Sequence, residues 1–232
     1  AQPLITRDII TKKTIDYIPG LFKIFDEIIV NANDNKNRVD AKLAAGTKGL
    51  AKMTTIKVNI FKHPEYNCWA IKVYNDGEGI DIAKHPVEKI WIPQMIFAEL
   101  LTSGNYNKNE EKITGGKNGY GAKLTNIFSK LFTITTVDKS RKLKYTQSYR
   151  DNMLIKEEPV VEKYTKAPYT EITFVPDYSL FKTDDLNADM IALFKKRTYD
   201  MAFTSCNSLS VWFNDVQINM NSCLDYVKYY LP

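Results

Sequence analysis

One stretch, residues 20–35, constrains the fold of this chain more than any other. Its apolar residues recur with the i, i+3, i+4, i+7 spacing of a helix face that packs on a core. These residues are Leu21, Ile24, Phe25, Ile28, Ile29 and Ala32. Pro19 and Gly20 favour a helix start at this point. The sequence therefore predicts a buried amphipathic helix over residues 20–36.

A polar stripe runs beside this apolar face, and it consists of Glu27, Asn31 and Asp34. A core helix can carry such residues on a partly exposed edge without further consequence. Alternatively, a carboxylate and an amide one turn apart can form a general base beside a metal-ligating oxygen. The helix by itself leaves both interpretations open.

Length and composition bound the class of protein. The chain has 232 residues, 44% of them hydrophobic, which is enough for one large domain or two small ones. No apolar run approaches the length of a membrane span and no signal-peptide pattern is present, so no membrane partner is expected. The three cysteines are far apart and lack CxxC spacing, so neither a disulfide framework nor a zinc site is supported, and a reducing compartment is expected. The net charge of +5 suits an anionic partner such as nucleic acid or a nucleotide, without deciding between them.

Predicted strands outnumber predicted helices and mostly follow one another. The strands are expected at 54–61, 69–74, 132–137, 142–149, 170–175 and 209–213. Further helices are expected at 92–101, 122–130, 186–205 and 222–230. Residues 1–18 are expected to be an extended lead-in and residues 37–53 an exposed insertion. This order predicts the α+β class, with an antiparallel-rich sheet and helices on one face.

Two glycine-containing segments are candidates for ligand binding. Residues 75–80, Asn-Asp-Gly-Glu-Gly-Ile, follow the second strand, where glycine lets the backbone approach a flat ligand closely. A tight turn with an Asn-Asp start is the alternative interpretation.

The second segment, residues 114–123, has four glycines in seven residues and two lysines, and it runs into a predicted helix. Backbone N–H groups and lysines in such a loop suit phosphates. The spacing matches neither the Walker A loop nor the Rossmann fingerprint. A mobile surface loop is the alternative interpretation.

In chain order, these motifs resemble those of the GHKL ATPases, the group of gyrase B, Hsp90, MutL and histidine kinases. Within that group, three stretches are similar to the N-terminal ATPase domain of eukaryotic-type DNA topoisomerase II. They are residues 19–35, 100–106 (Leu-Leu-Thr-Ser-Gly-Asn-Tyr) and 114–128 (Thr-Gly-Gly-Lys-Asn-Gly-Tyr-Gly-Ala-Lys-Leu-Thr-Asn-Ile-Phe). The resemblance implies the GHKL or Bergerat ATP-binding sandwich over 19–232, with the transducer domain absent from this chain.

The resemblance also implies a chemistry, the transfer of a phosphoryl group from ATP to water. Glu27 would activate the water, and Asn31 would coordinate a Mg²⁺ ion that bridges the phosphates. The residues that would bind the nucleotide are Asn31, Asn35, Asn75, Gly79, Ile80, Ile96, Phe97, Ser103, Asn105, Gly116, Lys117, Asn118, Gly119, Tyr120, Gly121, Ala122, Lys123 and Thr170. Asn75 would face the adenine, directly or through water, and Thr170 would hold the water at the adenine site. Lys123 would pair with the triphosphate.

Two residues depart from the family pattern. Gly104 stands where a second Ser is usual, so one sugar contact is expected to be missing. Lys117 replaces a frequent Arg and loses its bidentate geometry.

The function implied is that of the ATP-operated entry gate of a type II topoisomerase, which closes two copies of the protein around a DNA duplex. The expected partners are duplex DNA, through the full-length enzyme, and a second copy in an ATP-dependent homodimer. The expected location is the nucleus, or another compartment with access to DNA. Alone, the chain is expected to be a weak ATPase that does not cleave DNA. The alternatives are a clamp of the chaperone or mismatch-repair type and a nucleotide sensor that has lost catalysis.

Overall fold

The computed structural model describes residues 9–99, 120–205 and 208–231. Its helices are α1 (Pro19–Ala44), α2 (Ile92–Ala98), α3 (Gly121–Ile127), α4 (Ala188–Thr204) and α5 (Cys223–Lys228). Its strands are β1 (Thr55–Lys62), β2 (Trp69–Asp76), β3 (Ser129–Asp138), β4 (Leu143–Arg150), β5 (Ile155–Lys156), β6 (Val160–Lys163), β7 (Tyr169–Pro176), β8 (Ser210–Phe213) and β9 (Val216–Ile218).

The strands form one sheet in the order β5-β4-β3-β7-β2-β1-β8-β9, and β6 also pairs with β4. The pairing of β1 with β8 is parallel and the other pairings are antiparallel. The α+β class with a mixed, antiparallel-rich sheet is therefore confirmed.

The main core lies between the sheet and the helices. Phe25 of α1 stacks on Phe194 of α4 with ring centroids 4.4 Å apart, and Phe97 of α2 lies 5.8 Å from Phe132 of β3. The opposite face of the sheet carries a separate small cluster around Val175. This layering places the polar stripe of α1 beside the sheet.

The helix that begins at Pro19 is longer than the sequence predicted. It continues to Ala44 rather than ending near residue 36, so the first part of the expected insertion over 37–53 is helical. Val39 and Met53 are 2% and 0% exposed, which makes the prediction of a wholly exposed insertion wrong at both residues. Val39 continues the apolar face of α1, but polar and charged neighbours hide this spacing in the sequence. The division into a lead-in over 1–18 and a domain over 19–232 stays a prediction.

None of the helices in the described part of the chain has the length and apolar character needed to cross a membrane.

Asp138, at the end of β3, fastens the segment that follows β2. Its side chain accepts hydrogen bonds from Ile82 N at 3.0 Å, from Ser140 Oγ at 2.6 Å and from the Arg141 guanidinium at 2.6 Å. Burial opposes ionisation of this carboxyl group, but the hydrogen bonds outweigh that effect and lower the pKa of Asp138 to about 2. The ionised carboxylate therefore holds the loop between β2 and α2 against the end of β3.

Replacing Asp138 by Asn is expected to lower the free energy of unfolding by about 2 kcal/mol at neutral pH. The pKa of Asp138 lies below its ordinary value of 3.8, so the stabilisation is present above that value and is lost as pH falls toward 2. Urea denaturation at pH 7 and at about pH 2.5 measures the free energy of unfolding of the wild type and of Asp138→Asn. The difference between the two values should be smaller at the lower pH. Asp151→Asn, in an exposed turn, is the control, and equal losses in the two variants would contradict the assignment.

Candidate functional site

A cavity of about 290 Å³ opens between α1, α2, the start of α3 and the strands β2 and β7. Its volume lies near the lower end of the range of small-molecule sites in proteins. The sequence-predicted residues that line it are Glu27, Asn31, Asn35, Asn75, Ile80, Ile96, Phe97, Gly121, Ala122 and Thr170. Residues from five separate parts of the chain thus meet at one place.

Six predicted residues lie outside the described part of the chain. They are Ser103, Asn105, Gly116, Lys117, Asn118 and Gly119. Their roles stay predictions.

The polar stripe of α1 faces the cavity, because Glu27, Asn31 and Asp34 all line it, and Asn35 lines it beside them. The Glu27 carboxylate lies directly against the start of α3. A Cβ atom at Gly121 would come within 1.8 Å of Glu27 Oε2, so a side chain at this position would displace the carboxylate. Thr125 holds the two helices together, since its hydroxyl donates to the Ile24 carbonyl at 2.9 Å.

The amide of Asn35 has structural partners within the protein. Asn35 Nδ2 donates to the Glu78 carbonyl at 3.0 Å, and Asn35 Oδ1 accepts from the Arg38 guanidinium at 2.7 Å. Asn35 thereby fastens α1 to the turn after β2. Arg38 also lines the cavity, and sequence reasoning missed it although it continues the stripe by one more turn.

The opposite wall of the cavity carries a buried hydrogen-bonded chain. Asn75 on β2 faces Thr170 on β7, and the two residues are 4% and 9% exposed. The Thr170 and Thr136 hydroxyl oxygens are 3.0 Å apart, and Thr136 Oγ1 accepts from Ile80 N at 3.0 Å. Asn75 Nδ2 donates to the Asp76 carbonyl at 2.9 Å, which leaves Asn75 Oδ1 as an acceptor.

Thr136 is a residue that sequence reasoning missed. It is 0% exposed on β3, where it joins the predicted residues Ile80 and Thr170. The sequence offered one signal for Thr136: it is a polar residue at an inward-facing position of a strand that also carries buried apolar residues.

The Gly-x-Gly turn after β2 is held by packing. Asp76 accepts from the backbone N–H groups of Thr54 and Thr55 at 2.8 and 2.7 Å, which ties the end of β2 to the start of β1. Gly77 has a φ of +86°, which favours glycine. A Cβ atom at Gly79 would lie 2.1 Å from the Val137 carbonyl oxygen, so Gly79 packs against β3 while the adjoining Ile80 lines the cavity.

The apolar wall of the cavity comes from α2 and the sheet. Phe97 and Ile96 both line the cavity, and they are 4% and 37% exposed. Asn126 Nδ2 donates to the Phe97 carbonyl at 3.1 Å and fixes the end of α2. Such a wall suits a flat, apolar-faced ligand such as a nucleobase.

Lys123 is buried in the first turn of α3, with 7% of its surface exposed. Burial lowers its pKa, and the negative charge of Glu99 partly offsets that effect. Tyr120 immediately precedes α3. The proposed contacts of Lys123 and Tyr120 with phosphates stay predictions.

Comparisons with known proteins point to one group. The chain is 47% identical over 220 residues to DNA topoisomerase 2 of Acanthamoeba polyphaga mimivirus, which covers 95% of this chain and 16% of that protein. It matches the crystal structure of the ATPase region of Saccharomyces cerevisiae topoisomerase II with a TM-score of 0.83 and 42% identity, over 95% of this chain and 55% of that one.

A more distant structure shares the fold alone. The 43K ATPase domain of Thermus thermophilus gyrase B matches with a TM-score of 0.59 and 19% identity, over 87% of this chain and 45% of that one. No protein-family model matches the chain. The chain spans less than a fifth of the mimivirus protein and about half of the yeast ATPase region.

Proposed function

We propose that this chain, which belongs to the type II DNA topoisomerase family and matches its ATPase region, binds ATP in the cavity beside α1 and hydrolyses it. Its fold is the GHKL ATPase fold. The observation that carries the proposal is the meeting, around one cavity, of the Glu27 carboxylate with the buried Asn75–Thr170 pair. The carboxylate suits the activation of an attacking water molecule, and the buried pair suits a nucleobase.

Adenine would lie between the apolar wall and the buried hydrogen-bonded chain. The acceptor atom Asn75 Oδ1 matches the 6-amino group of adenine, which donates hydrogen bonds. Guanine carries a carbonyl oxygen at the same ring position and would place two acceptors against each other. ATP should therefore bind in preference to GTP.

Hydrolysis would take place at the end of the cavity formed by Glu27 and the start of α3. The oxygen of a water molecule forms a bond to the γ-phosphorus, and the bond from that phosphorus to the bridging oxygen breaks. The proton of the water passes to the Glu27 carboxylate, and ADP and inorganic phosphate are the products. Positioning and charge neutralisation supply most of the rate enhancement in such reactions.

Mg²⁺ fits this donor set as a companion of the nucleotide. Within the described part of the chain, no three His, Cys, Asp or Glu side chains converge as a metal site. The amide oxygen of Asn31 is a hard oxygen ligand on the cavity wall, and Mg²⁺ is usually held by one or two protein ligands together with phosphates and waters. Bound Mg²⁺ would neutralise phosphate charge.

In the complete protein, we propose that ATP binding closes two copies of this domain around a DNA duplex and that hydrolysis reopens them. The mimivirus relative is named DNA topoisomerase 2, and the yeast structure is the ATPase region of a topoisomerase II. The protein would act in a compartment that holds DNA, which is the nucleus in a eukaryotic cell. The chain alone is expected to hydrolyse ATP slowly and to leave DNA uncleaved.

Isothermal titration calorimetry with ATP and GTP tests the binding step. Replacing Thr170 by Val, which has the same shape but no hydroxyl, is expected to weaken ATP binding about tenfold. The reason is that Thr170 would hold the water that contacts adenine, and its hydroxyl is joined to Thr136.

Thr173→Val is the matched control, because Thr173 lies on the same strand but points to the opposite face of the sheet. ATP binding should survive that substitution. Equal losses of ATP affinity in both variants, or equal affinity of the wild-type chain for ATP and GTP, would refute the proposed adenine site.

A further inference from the structure

We infer that Lys23 is a positioning residue that holds the Glu27 carboxylate in the orientation that water activation requires. The inference rests on the proposed role of Glu27 as the base. Lys23 is one helical turn before Glu27 on α1 and does not line the cavity itself.

The two oxygens of the Glu27 carboxylate have different neighbours. Lys23 Nζ lies 2.6 Å from Oε1, whereas Oε2 is the oxygen against Gly121 at the start of α3. The ammonium group therefore holds one oxygen and leaves the other for a water molecule in the cavity. A carboxylate without this contact can rotate about its last two side-chain bonds.

The exposure of the pair argues against a mainly stabilising role. The Lys23 side chain is 63% exposed and the Glu27 side chain 22% exposed. Ion pairs with so exposed a member contribute little to folding, and a Lys that precedes a Glu by four residues is the weaker order on a helix. The main consequence of the Lys23–Glu27 ion pair is therefore the orientation of the Glu27 carboxylate.

A second ion pair keeps Lys23 on Glu27. Asp26 also lies near the ammonium group, with Oδ2 3.7 Å from Lys23 Nζ. Arg197 of α4 holds the other Asp26 oxygen, with Nε 2.7 Å from Oδ1. Because Arg197 engages Asp26, Asp26 competes less for Lys23.

The charge state of Lys23 agrees with this geometry. The hydrogen bond to Glu27 raises its pKa, burial acts in the opposite sense, and the charges of Glu27 and Asp26 raise it further. Lys23 therefore stays cationic throughout the pH range of enzyme assays.

The test compares Lys23→Met with Lys23→Arg in the whole chain. ATP hydrolysis is measured under single-turnover conditions with protein in excess, and the Kd of ATP by calorimetry. Lys23→Met is expected to slow hydrolysis about tenfold while Kd changes by less than about twofold. Lys23→Arg, which keeps the cation, is expected to restore at least half of the rate.

Lys13→Met is the matched control. Lys13 is 64% exposed and pairs with Asp189 of α4 at 2.6 Å, so its removal costs a similar ion pair away from Glu27. The Lys13→Met variant should hydrolyse ATP at the wild-type rate. Thermal unfolding followed by circular dichroism verifies that the variants are folded.

The outcomes separate the inference from the proposed function. In a Glu27→Gln background, Lys23→Met should cause no further loss, because Lys23 acts through Glu27. If Glu27→Gln slows hydrolysis but Lys23→Met does not, the role of Lys23 is overturned and Glu27 remains the base. If Glu27→Gln leaves the rate unchanged, the proposed role of Glu27 as the base fails and another group takes the proton. A loss confined to ATP affinity, or an equal loss in Lys23→Arg, also overturns the positioning role.

Discussion

Replacing Glu27 by Gln is expected to slow single-turnover ATP hydrolysis by about 10²- to 10⁴-fold. Glutamine has nearly the same shape as glutamate, so it fits beside Gly121 as the carboxylate does, but its amide cannot take a proton from water. The Kd of ATP, measured by calorimetry, should change little, because Glu27 would act on the water rather than on the nucleotide.

Glu171→Gln provides the control for this substitution. Glu171 lies on β7 on the sheet face away from the cavity, and its side chain is 33% exposed. Its hydrolysis rate should match that of the wild type. A Glu27→Gln protein that hydrolyses ATP at the wild-type rate would show that another group takes the proton.

Replacing Gly79 by Ala is expected to lower the free energy of unfolding by about 3 kcal/mol and to weaken ATP binding by more than about tenfold. The added Cβ atom would lie 2.1 Å from the Val137 carbonyl oxygen and 2.9 Å from Thr136 Oγ1. A backbone carbonyl in a central strand cannot move aside as the end of a side chain can. The turn must therefore shift, which breaks the bond from Ile80 N to Thr136 and displaces Ile80 from the cavity.

Urea denaturation and calorimetry measure the two effects, with Gly49→Ala as the control. Gly49 has a φ of +84° but nothing within 4 Å of an added Cβ atom, so only backbone strain of about 1 kcal/mol is expected there. ATP binding should be unchanged in that variant. Equal destabilisation of the two variants would mean that the close approach to β3 does not matter.

The helix α1 shows how much of the site the sequence predicted. Local spacing was sufficient to predict the helix, its buried face and the polar stripe that carries Glu27 and Asn31. The predicted end of α1 was wrong. Val39 is the only buried apolar residue among residues 37–44, and its polar and charged neighbours weaken the periodic signal. The pairing of Asn75 with Thr170 across two strands required the resemblance to known ATPases, since residues so far apart share no local pattern.

Other features came from the tertiary structure. Thr136 was missed because its partner Ile80 is 56 residues away in the sequence, and an inward-facing position in a strand does not tell which residue Thr136 contacts. Asn35 was predicted as a nucleotide contact, and the structure shows its amide engaged by Glu78 and Arg38. Lys23 was part of the helix sequence, but its contact with one oxygen of Glu27 depends on rotamers that no spacing rule specifies.

By itself, the sequence determined the class of the fold, the helix with its polar stripe and, through its motifs, the family. These depend on local periodicity and on short motifs, which are complete within a few turns or strands. Only the tertiary structure decided which oxygen of Glu27 faces α3 and which hydroxyl group supports Thr170. It also showed that a side chain at residue 79 would meet β3 and that one at residue 121 would displace the Glu27 carboxylate. These are contacts between segments distant in the chain, and their distances are set by how the helices pack on the sheet.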